Sequence, residues 1–246
     1  MIEEVKDHEQ PTVGEPHDIE KEYAQARPPL PYMTLLIIAC IAAVFAAQLY
    51  AGLEVSITRA GFDKPLVVGA HEYWRFFTGF VLHAFLLHIL MNGYALYMFG
   101  RDFEILSSGA HLANVILISA IAGNILSLIF LPDGISVGIS GGVVGLIGYL
   151  AVYSFRRRQF INPAYRKSLL MNIGFILLFG IALFNYIDNY GHIGGLIAGA
   201  VYGFFQIPSD AYTDPRQAGT AARLAGNLSL AVIAIASVFS IFKILS

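Results

Sequence analysis

The chain has 246 residues, of which 57% are hydrophobic and 13% are charged, and its mean hydropathy is +0.65. Soluble domains carry about 25% charged residues, so this composition excludes an ordinary soluble globular protein. The formal net charge of −2 gives no basic surface, and we expect no nucleic-acid partner. The single cysteine, Cys40, excludes an intrachain disulfide and a metal site built from cysteines.

The first 30 residues differ in composition from everything that follows. They contain eight acidic and three basic residues, several prolines and few large apolar side chains. Such a segment buries too little apolar surface to fold, and we predict a mobile acidic cytoplasmic tail over residues 1–30. It lacks the basic start and short apolar core of a signal peptide.

Seven windows without a charged residue follow the tail. Each is close to the roughly 20 residues with which a helix crosses the hydrocarbon core of a bilayer. They are continuously apolar rather than alternating, which favours helices over strands. We therefore predict an all-α polytopic protein that is embedded in the lipid bilayer. The windows are residues 28–53, 76–100, 110–131, 134–155, 168–187, 189–209 and 224–242.

Lysine and arginine residues are divided unequally between the two sides of these predicted spans. Eleven lie on the side of the N-terminal tail, five of them within residues 156–167, and four lie on the other side. Positive residues favour the cytoplasmic side, so we predict a cytoplasmic N-terminus and the cell membrane as the location. The starts of spans 4 and 6 then lie near the same outer face.

Two connections on the predicted outer side stand out. Residues 54–75 mix apolar and charged side chains, and we expect them to lie in the membrane interface with Tyr73 and Trp74 at headgroup level. The short link at 185–189 is a candidate for a moving gate. The seventh span has no polar constellation, and we expect an ordinary lipid-facing helix appended to a six-helix core.

Glycines recur at helical spacing in spans 4 and 6. Small residues four apart let helices approach closely in lipid, so we expect the two stripes to face each other. The predicted packing contacts are Gly141, Gly145, Gly195 and Gly199. The full stripes are Gly138, Gly141, Gly145 and Gly148 in span 4 and Gly191, Gly195, Gly199 and Gly203 in span 6.

Ser140 and His192 each lie one residue from a stripe, so they are placed to meet at the edge of the interface between the helices. A hydroxyl within hydrogen-bond reach of an imidazole is the arrangement of a nucleophile and its general base. A lone membrane serine is more often a packing residue, whereas a membrane histidine is a functional candidate by default. Residues 138–142 also match the soluble esterase pattern G-x-S-x-G, but no strand precedes them.

Span 2 supplies a third group of polar side chains. His88 and Asn92 are four residues apart and share a helical face, while His83 points elsewhere. Buried donors on one face need an acceptor, and an oxyanion on a substrate carbonyl would be one. His83 and His88 lack the i, i+4 spacing of helical metal ligands, so we expect no metal and no other cofactor.

Together these motifs resemble the rhomboid family of intramembrane serine proteases over about residues 31–206. The matching runs are H-x4-H-x3-N in span 2, G-x-S-G at the start of span 4, H-x2-G-x3-G in span 6, and Trp74-Arg75. The resemblance implies a rhomboid-like six-helix catalytic core over residues 31–207. A cytoplasmic loop and a seventh C-terminal transmembrane helix would follow over residues 208–246.

The resemblance also implies a role for each site residue. Ser140 would be the nucleophile and His192 the base, and the oxyanion would be bound by His88, Asn92 and the backbone N–H of Ser140. Gly138 would let the backbone approach the substrate, which would be a transmembrane protein. The chain departs from the family pattern at Val144, where an aromatic residue often stacks on the histidine, and at Gly191, which is often alanine.

Two other functions are compatible with a polytopic membrane protein. A catalytically inactive rhomboid-like protein would bind membrane-protein clients with the same fold, although such relatives usually lack the serine or the histidine. A transporter would need intramembrane charges or paired broken helices, and the sequence indicates neither. The sequence does not indicate the oligomeric state.

Overall fold

A computed structural model describes residues 30–182, 187–210 and 213–246, and these residues are mainly helical. The tail predicted over residues 1–30 lies, apart from Leu30, outside the described residues. A two-stranded antiparallel ribbon, β1 (Phe62–Asp63) with β2 (Ile135–Ser136), and a 3-10 helix at Gly79–Val81 complete the regular structure. The α-helices are α1 (Tyr32–Ala51), α2 (Leu53–Ala60), α3 (Lys64–Gly69), α4 (Arg75–Thr78), α5 (Leu86–Leu106), α6 (Gly109–Phe130), α7 (Ser140–Arg156), α8 (Pro163–Ala182), α9 (Asn189–Gln206) and α10 (Thr220–Leu245).

Long helices account for all seven predicted windows, which confirms the all-α polytopic architecture. Four of them, α1, α6, α8 and α10, are long and apolar enough to cross a membrane by length and composition. A fifth span results if the bent pair Arg75–Val81 and Leu86–Leu106 is counted as one. The count of seven spans and the cytoplasmic N-terminus stay predictions.

The second predicted span was wrong at its start. Instead of a continuous helix from residue 76, the chain forms α4 and the 3-10 helix, and these are bent by 91° from α5. Phe85 is extended, with φ of −161° and ψ of 168°, so the helix cannot run through it. His83 therefore lies in the break and not on the helix that carries His88.

Helix α5 continues beyond the predicted end at residue 100, because the charged side chain of Glu104 finds hydrogen-bond donors at the start of α1. The Glu104 carboxylate accepts hydrogen bonds from the backbone N–H of Thr34 at 2.8 Å and from its hydroxyl at 2.6 Å. This carboxylate supplies acceptors for the free N–H groups at the start of α1.

The centre of the bundle is built from α6, α7 and α9, and the glycine stripes of α7 and α9 face each other. A side-chain carbon added at Gly195 would overlap the carbonyl oxygen of Gly141, and one added at Gly199 would overlap that of Gly145. The two backbones therefore touch directly along two helical turns. No larger residue fits between them without separating the helices.

The seventh helix is not an ordinary lipid-facing appendage, which corrects the expectation from its sequence. A side-chain carbon added at Gly226 would lie 2.6 Å from the Cα of Ala110 on α6. The Ser229 hydroxyl donates to the side-chain oxygen of Asn114 at 2.8 Å, and Ile233 is fully buried. One face of α10 therefore belongs to the core of the bundle.

Residues 52–85, here called loop 1, are folded into a compact unit around Arg75. The Arg75 guanidinium donates to the carbonyl oxygen of Gly61 at 2.7 Å and pairs with Glu72 at 2.5 Å. The ribbon then joins loop 1 to the segment before α7, with Phe62 opposite Ser136. Loop 1 is thus attached to the chain that leads into Ser140.

Candidate active site

Ser140 and His192 are in hydrogen-bond contact. Ser140 is the first residue of α7 and His192 lies in the first turn of α9. The Nε2 atom of His192 is 2.9 Å from the Ser140 hydroxyl oxygen, and both residues are half-buried. The close glycine contact between α7 and α9 brings the two helix starts together, because it continues to Gly141, whose added side-chain carbon would lie 3.3 Å from the Gly191 carbonyl oxygen. This geometry fits proton transfer from a hydroxyl to an imidazole.

Gly138 lies before α7 and not on its glycine-lined face, contrary to the spacing argument. Its φ is +121°, a conformation that residues with a side chain rarely adopt. A side-chain carbon there would lie 2.9 Å from the Nε2 atom of His88 and 3.9 Å from the Nδ2 atom of Asn92. His88 and Asn92 therefore converge on the backbone that leads into Ser140, as an oxyanion site requires.

Hydrogen bonds within α5 and its entry hold these two side chains. Asn92 is buried and donates from Nδ2 to the carbonyl oxygen of His88 at 3.1 Å. The Nδ1 atom of His88 accepts from the backbone N–H of Ala84 at 3.4 Å, which leaves Nε2 directed toward Gly138. The fully buried Gln48 side chain on α1 forms two hydrogen bonds with the backbone of His83, at 2.9 and 3.0 Å. These bonds attach the break before α5 to α1.

Apolar side chains surround the His192 ring. Val144 occupies the position one turn after Ser140 and lines a small cavity beside His192 together with Leu196 from α9. The buried Nδ1 atom of His192 has no hydrogen-bond partner among the described residues. No carboxylate in this part of the chain therefore orients the ring from that nitrogen. The remaining cavity residues are Ile173, Ile176 and Leu177 of α8.

A charged cluster next to the dyad was not found from the sequence. Asp188, directly before α9, contacts the hydroxyls of Ser127 and Ser136, and Lys64 of loop 1 lies beside them. Burial lowers the pKa of the Lys64 ammonium, while the charges of Asp188 and Asp63 oppose that shift. An aspartate directly before an apolar helix is a cap signal that indicates Asp188, but no local pattern indicates Lys64.

Within the described part of the chain, no three His, Cys, Asp or Glu side chains converge in a way that would hold a metal ion. The roles assigned to Ser140, His192, His88 and Asn92 stay predictions, although the structure places all four around one short stretch of backbone.

Comparison with known proteins bears on this arrangement. The family model described as the Rhomboid domain matches residues 70–209, more than half of the chain. The chain belongs to the rhomboid family. The matched part contains Trp74, α5 to α9 and the residues predicted for the dyad and the oxyanion site, whereas Gln48 and Lys64 lie before it. The all-α polytopic fold is therefore a rhomboid fold.

Among curated rhomboids, the chain is 35% identical to "RHOMBOID-like protein 6, mitochondrial" of Arabidopsis thaliana over 58% of this chain and 46% of that protein. It is 32% identical to "Rhomboid protease GluP" of Bacillus subtilis over 69% of this chain and 34% of that protein. It is also 31% identical to "Inactive rhomboid protein 1" of Rattus norvegicus over 56% of this chain and 16% of that protein. The chain thus spans less than half the length of these relatives, whose names include both a protease and an inactive protein.

Proposed function

We propose that this rhomboid is an intramembrane serine endopeptidase that cleaves transmembrane protein substrates with a Ser140–His192 dyad. The observation that carries the proposal is the 2.9 Å contact between the Ser140 hydroxyl and the His192 imidazole. Family membership and the similarity to a relative named as a rhomboid protease support it. Residues 31–207 would form the catalytic core. The protein would lie in the cell membrane with its N-terminus in the cytoplasm.

The proposed reaction uses the contact between these two side chains. The Nε2 atom of His192 takes the hydroxyl proton as the Ser140 oxygen bonds to the substrate carbonyl carbon. The carbonyl oxygen becomes an oxyanion that His88, Asn92 and the Ser140 amide bind. The imidazolium then gives its proton to the leaving amine as the peptide bond breaks. A water molecule loses a proton to His192 and hydrolyses the resulting ester, which restores both side chains.

The proposed substrate is a transmembrane segment that enters from the side of the bundle. Leu86, Leu87, Leu90 and Met91 of α5 are each about 60% exposed beside His88, and they form an apolar face toward lipid. In the predicted span of α8, only Leu169 and Gly180 are buried, so this helix is attached to the bundle over little area. The gate predicted at residues 185–189 lies partly outside the described residues.

Labelling with a serine-directed fluorophosphonate tests the nucleophile. The full chain in detergent should be labelled, Ser140→Ala should not be labelled, and His192→Ala should be labelled slowly. Ser154→Ala is the matched control, because Ser154 lies on the same helix and, among the residues that the structure describes, its hydroxyl bonds only to the carbonyl oxygen of Ala151. Equal labelling of Ser140→Ala and the unsubstituted chain would remove Ser140 from the reaction.

A second candidate function is binding of membrane-protein clients without cleavage, because one similar relative is named as inactive. Cleavage of a reporter transmembrane helix separates the two functions. The protease proposal expects two fragments that are missing with Ser140→Ala. A reporter that stays intact while it copurifies equally with both forms would favour client binding.

A further inference from the structure

A polar cluster of buried and half-buried side chains joins four separate segments next to the dyad. Asp188 Oδ2 accepts hydrogen bonds from the hydroxyls of Ser127, at the end of α6, and Ser136, on β2 at 2.6 Å. Lys64 Nζ donates to the Ser136 oxygen at 2.9 Å and lies 3.9 Å from Asp188 Oδ2. We refer to Lys64, Ser127, Ser136 and Asp188 as the Asp188 cluster.

The cluster is held as a unit because its members depend on one another. The Lys64 side chain has no solvent exposure, and a buried ammonium is retained only with a counter-charge and hydrogen-bond partners. The Asp188 carboxylate supplies the counter-charge, and the two serine hydroxyls donate hydrogen bonds to its Oδ2 atom. Removing one charge would leave the other unpaired in a largely buried position.

Asp188 also determines where the helix that carries His192 begins. Its Oδ1 atom accepts from the backbone N–H of Gly191 at 2.8 Å, which is a helix N-cap. Its backbone carbonyl accepts from the N–H of His192 at 3.1 Å. Because Nδ1 of His192 has no partner among the described residues, the ring must be positioned through its backbone and its apolar neighbours.

The cluster has the same relation to both members of the dyad. Ser136 lies four residues before Ser140, and Asp188 lies four residues before His192. The hydrogen bond between Ser136 and Asp188 therefore joins the same two stretches of chain as the contact between Ser140 and His192. It forms a second connection between these two stretches.

We propose that the Asp188 cluster is a positioning device that sets the His192 ring against the Ser140 oxygen by tying the two approaching chain segments together. The inference rests on the protease function proposed above. Its members are positioning residues, since none of them touches the reacting atoms.

The test measures the rate of fluorophosphonate acylation of Ser140 and the thermal midpoint for the full chain in detergent. Ser136→Ala removes the tether and, with it, the acceptor of one hydrogen bond from Lys64. It should slow acylation about tenfold, because small displacements of a reacting pair are costly. On a reporter transmembrane substrate the loss should appear in kcat and not in KM. Asp63→Asn is the control, because Asp63 also lies beside Lys64 and caps α3 but, within the described part of the chain, has no hydrogen bond to α9.

A pair of charge variants separates positioning from simple stabilisation. Asp188→Asn keeps a cap oxygen but leaves Lys64 unpaired, so both the thermal midpoint and the acylation rate should fall. Adding Lys64→Met removes the unpaired ammonium and should restore the thermal midpoint but not the acylation rate.

Two results would overturn the proposal. One is that the acylation rate recovers together with the thermal midpoint in Lys64→Met/Asp188→Asn, and the other is that the rate is unchanged in Ser136→Ala. Either result would overturn the positioning role and leave the protease function intact. An unsubstituted chain that is not labelled at Ser140 would overturn both proposals. If Asp188→Asn does not fold, Ser136→Ala alone decides.

Discussion

At the scale of single residues, the site depends on Gly138 for two separate reasons. Its φ of +121° strains any residue with a side chain, and a side-chain carbon there would lie 2.9 Å from the His88 ring. The first effect acts on folding, whereas the second acts on the position of a proposed oxyanion donor. Gly52 isolates the first effect, because it has φ of +96° but, apart from its chain neighbours, no described residue lies within 4 Å of an added side-chain carbon.

We expect Gly138→Ala and Gly52→Ala to have different consequences. Both should lose about 1–3 kcal/mol of stability through backbone strain, which thermal unfolding in detergent would measure. Only Gly138→Ala should also lose activity on a reporter helix, by about 10²–10³-fold, because displacing His88 removes an oxyanion donor. Equal activity in the two variants would show that His88 does not need its present position.

At the scale of helices, the dyad is a consequence of how α7 and α9 pack. Each side chain is at the start of its helix, and neither helix has a side chain between the two backbones at Gly141, Gly145, Gly195 and Gly199. In lipid the hydrophobic effect does not drive helices together, because the lipid tails are as apolar as the side chains. Dispersion contacts between the closely packed backbones hold such helices together instead. The distance between Ser140 and His192 is therefore controlled by residues one to two turns away.

Gly199→Ala tests this control from a distance. The added methyl group would overlap the Gly145 backbone, so the helices must separate, at a cost of about 1–3 kcal/mol. We expect at least a tenfold slower fluorophosphonate acylation of Ser140, about 1.4 kcal/mol at the transition state. Gly174→Ala on α8 is the control, because its added carbon meets no described residue outside its own helix within 4 Å. Unchanged acylation in Gly199→Ala would mean that the dyad tolerates helix separation.

The sequence predicts helices better than it predicts their ends. Charge-free windows locate the long helices because hydrocarbon excludes charged side chains and requires backbone groups to bond within the helix. The break at His83 and the extension of α5 to Leu106 depend on tertiary contacts, such as that of Glu104 with Thr34, which leave no local pattern. Lys64 was missed for the same reason, since its partners come from distant segments.

The glycine stripes and the spacing of Ser140 and His192 were informative because helical periodicity and close packing in lipid are general constraints. Gly138 shows the limit of that argument. Its three-residue spacing from Gly141 fits the stripe, yet it precedes the helix and has a conformation that periodicity does not indicate. A glycine near a helix start can serve close helix packing or a positive-φ turn before the helix, and spacing alone does not distinguish the two roles.

At the scale of the whole molecule, α10 connects the two ends of the bundle. Near its start, Gly226 and Ser229 contact α6. Near its end, the carbonyl oxygen of Ile244 accepts from the Arg59 guanidinium at 2.6 Å. The cationic groups of Arg75 and Lys243 lie 4.6 and 5.2 Å from the ring centre of Trp74. Because loop 1 also pairs with β2, the seventh helix is connected through it to the chain before Ser140.

Gly226→Leu tests whether this helix supports the site. Its side chain would collide with the backbone of Ala110, which should displace α10 and lower stability by about 1–3 kcal/mol, measured by thermal unfolding. Acylation of Ser140 should slow as well, because loop 1 would lose its contacts with Ile244 and Lys243. Gly219→Leu is the control directly before the same helix, where an added carbon meets no residue that the structure describes within 4 Å, chain neighbours apart. Normal stability and acylation in Gly226→Leu would show that α10 is an appendage, because the packing of its buried face would then stabilise neither the bundle nor the site.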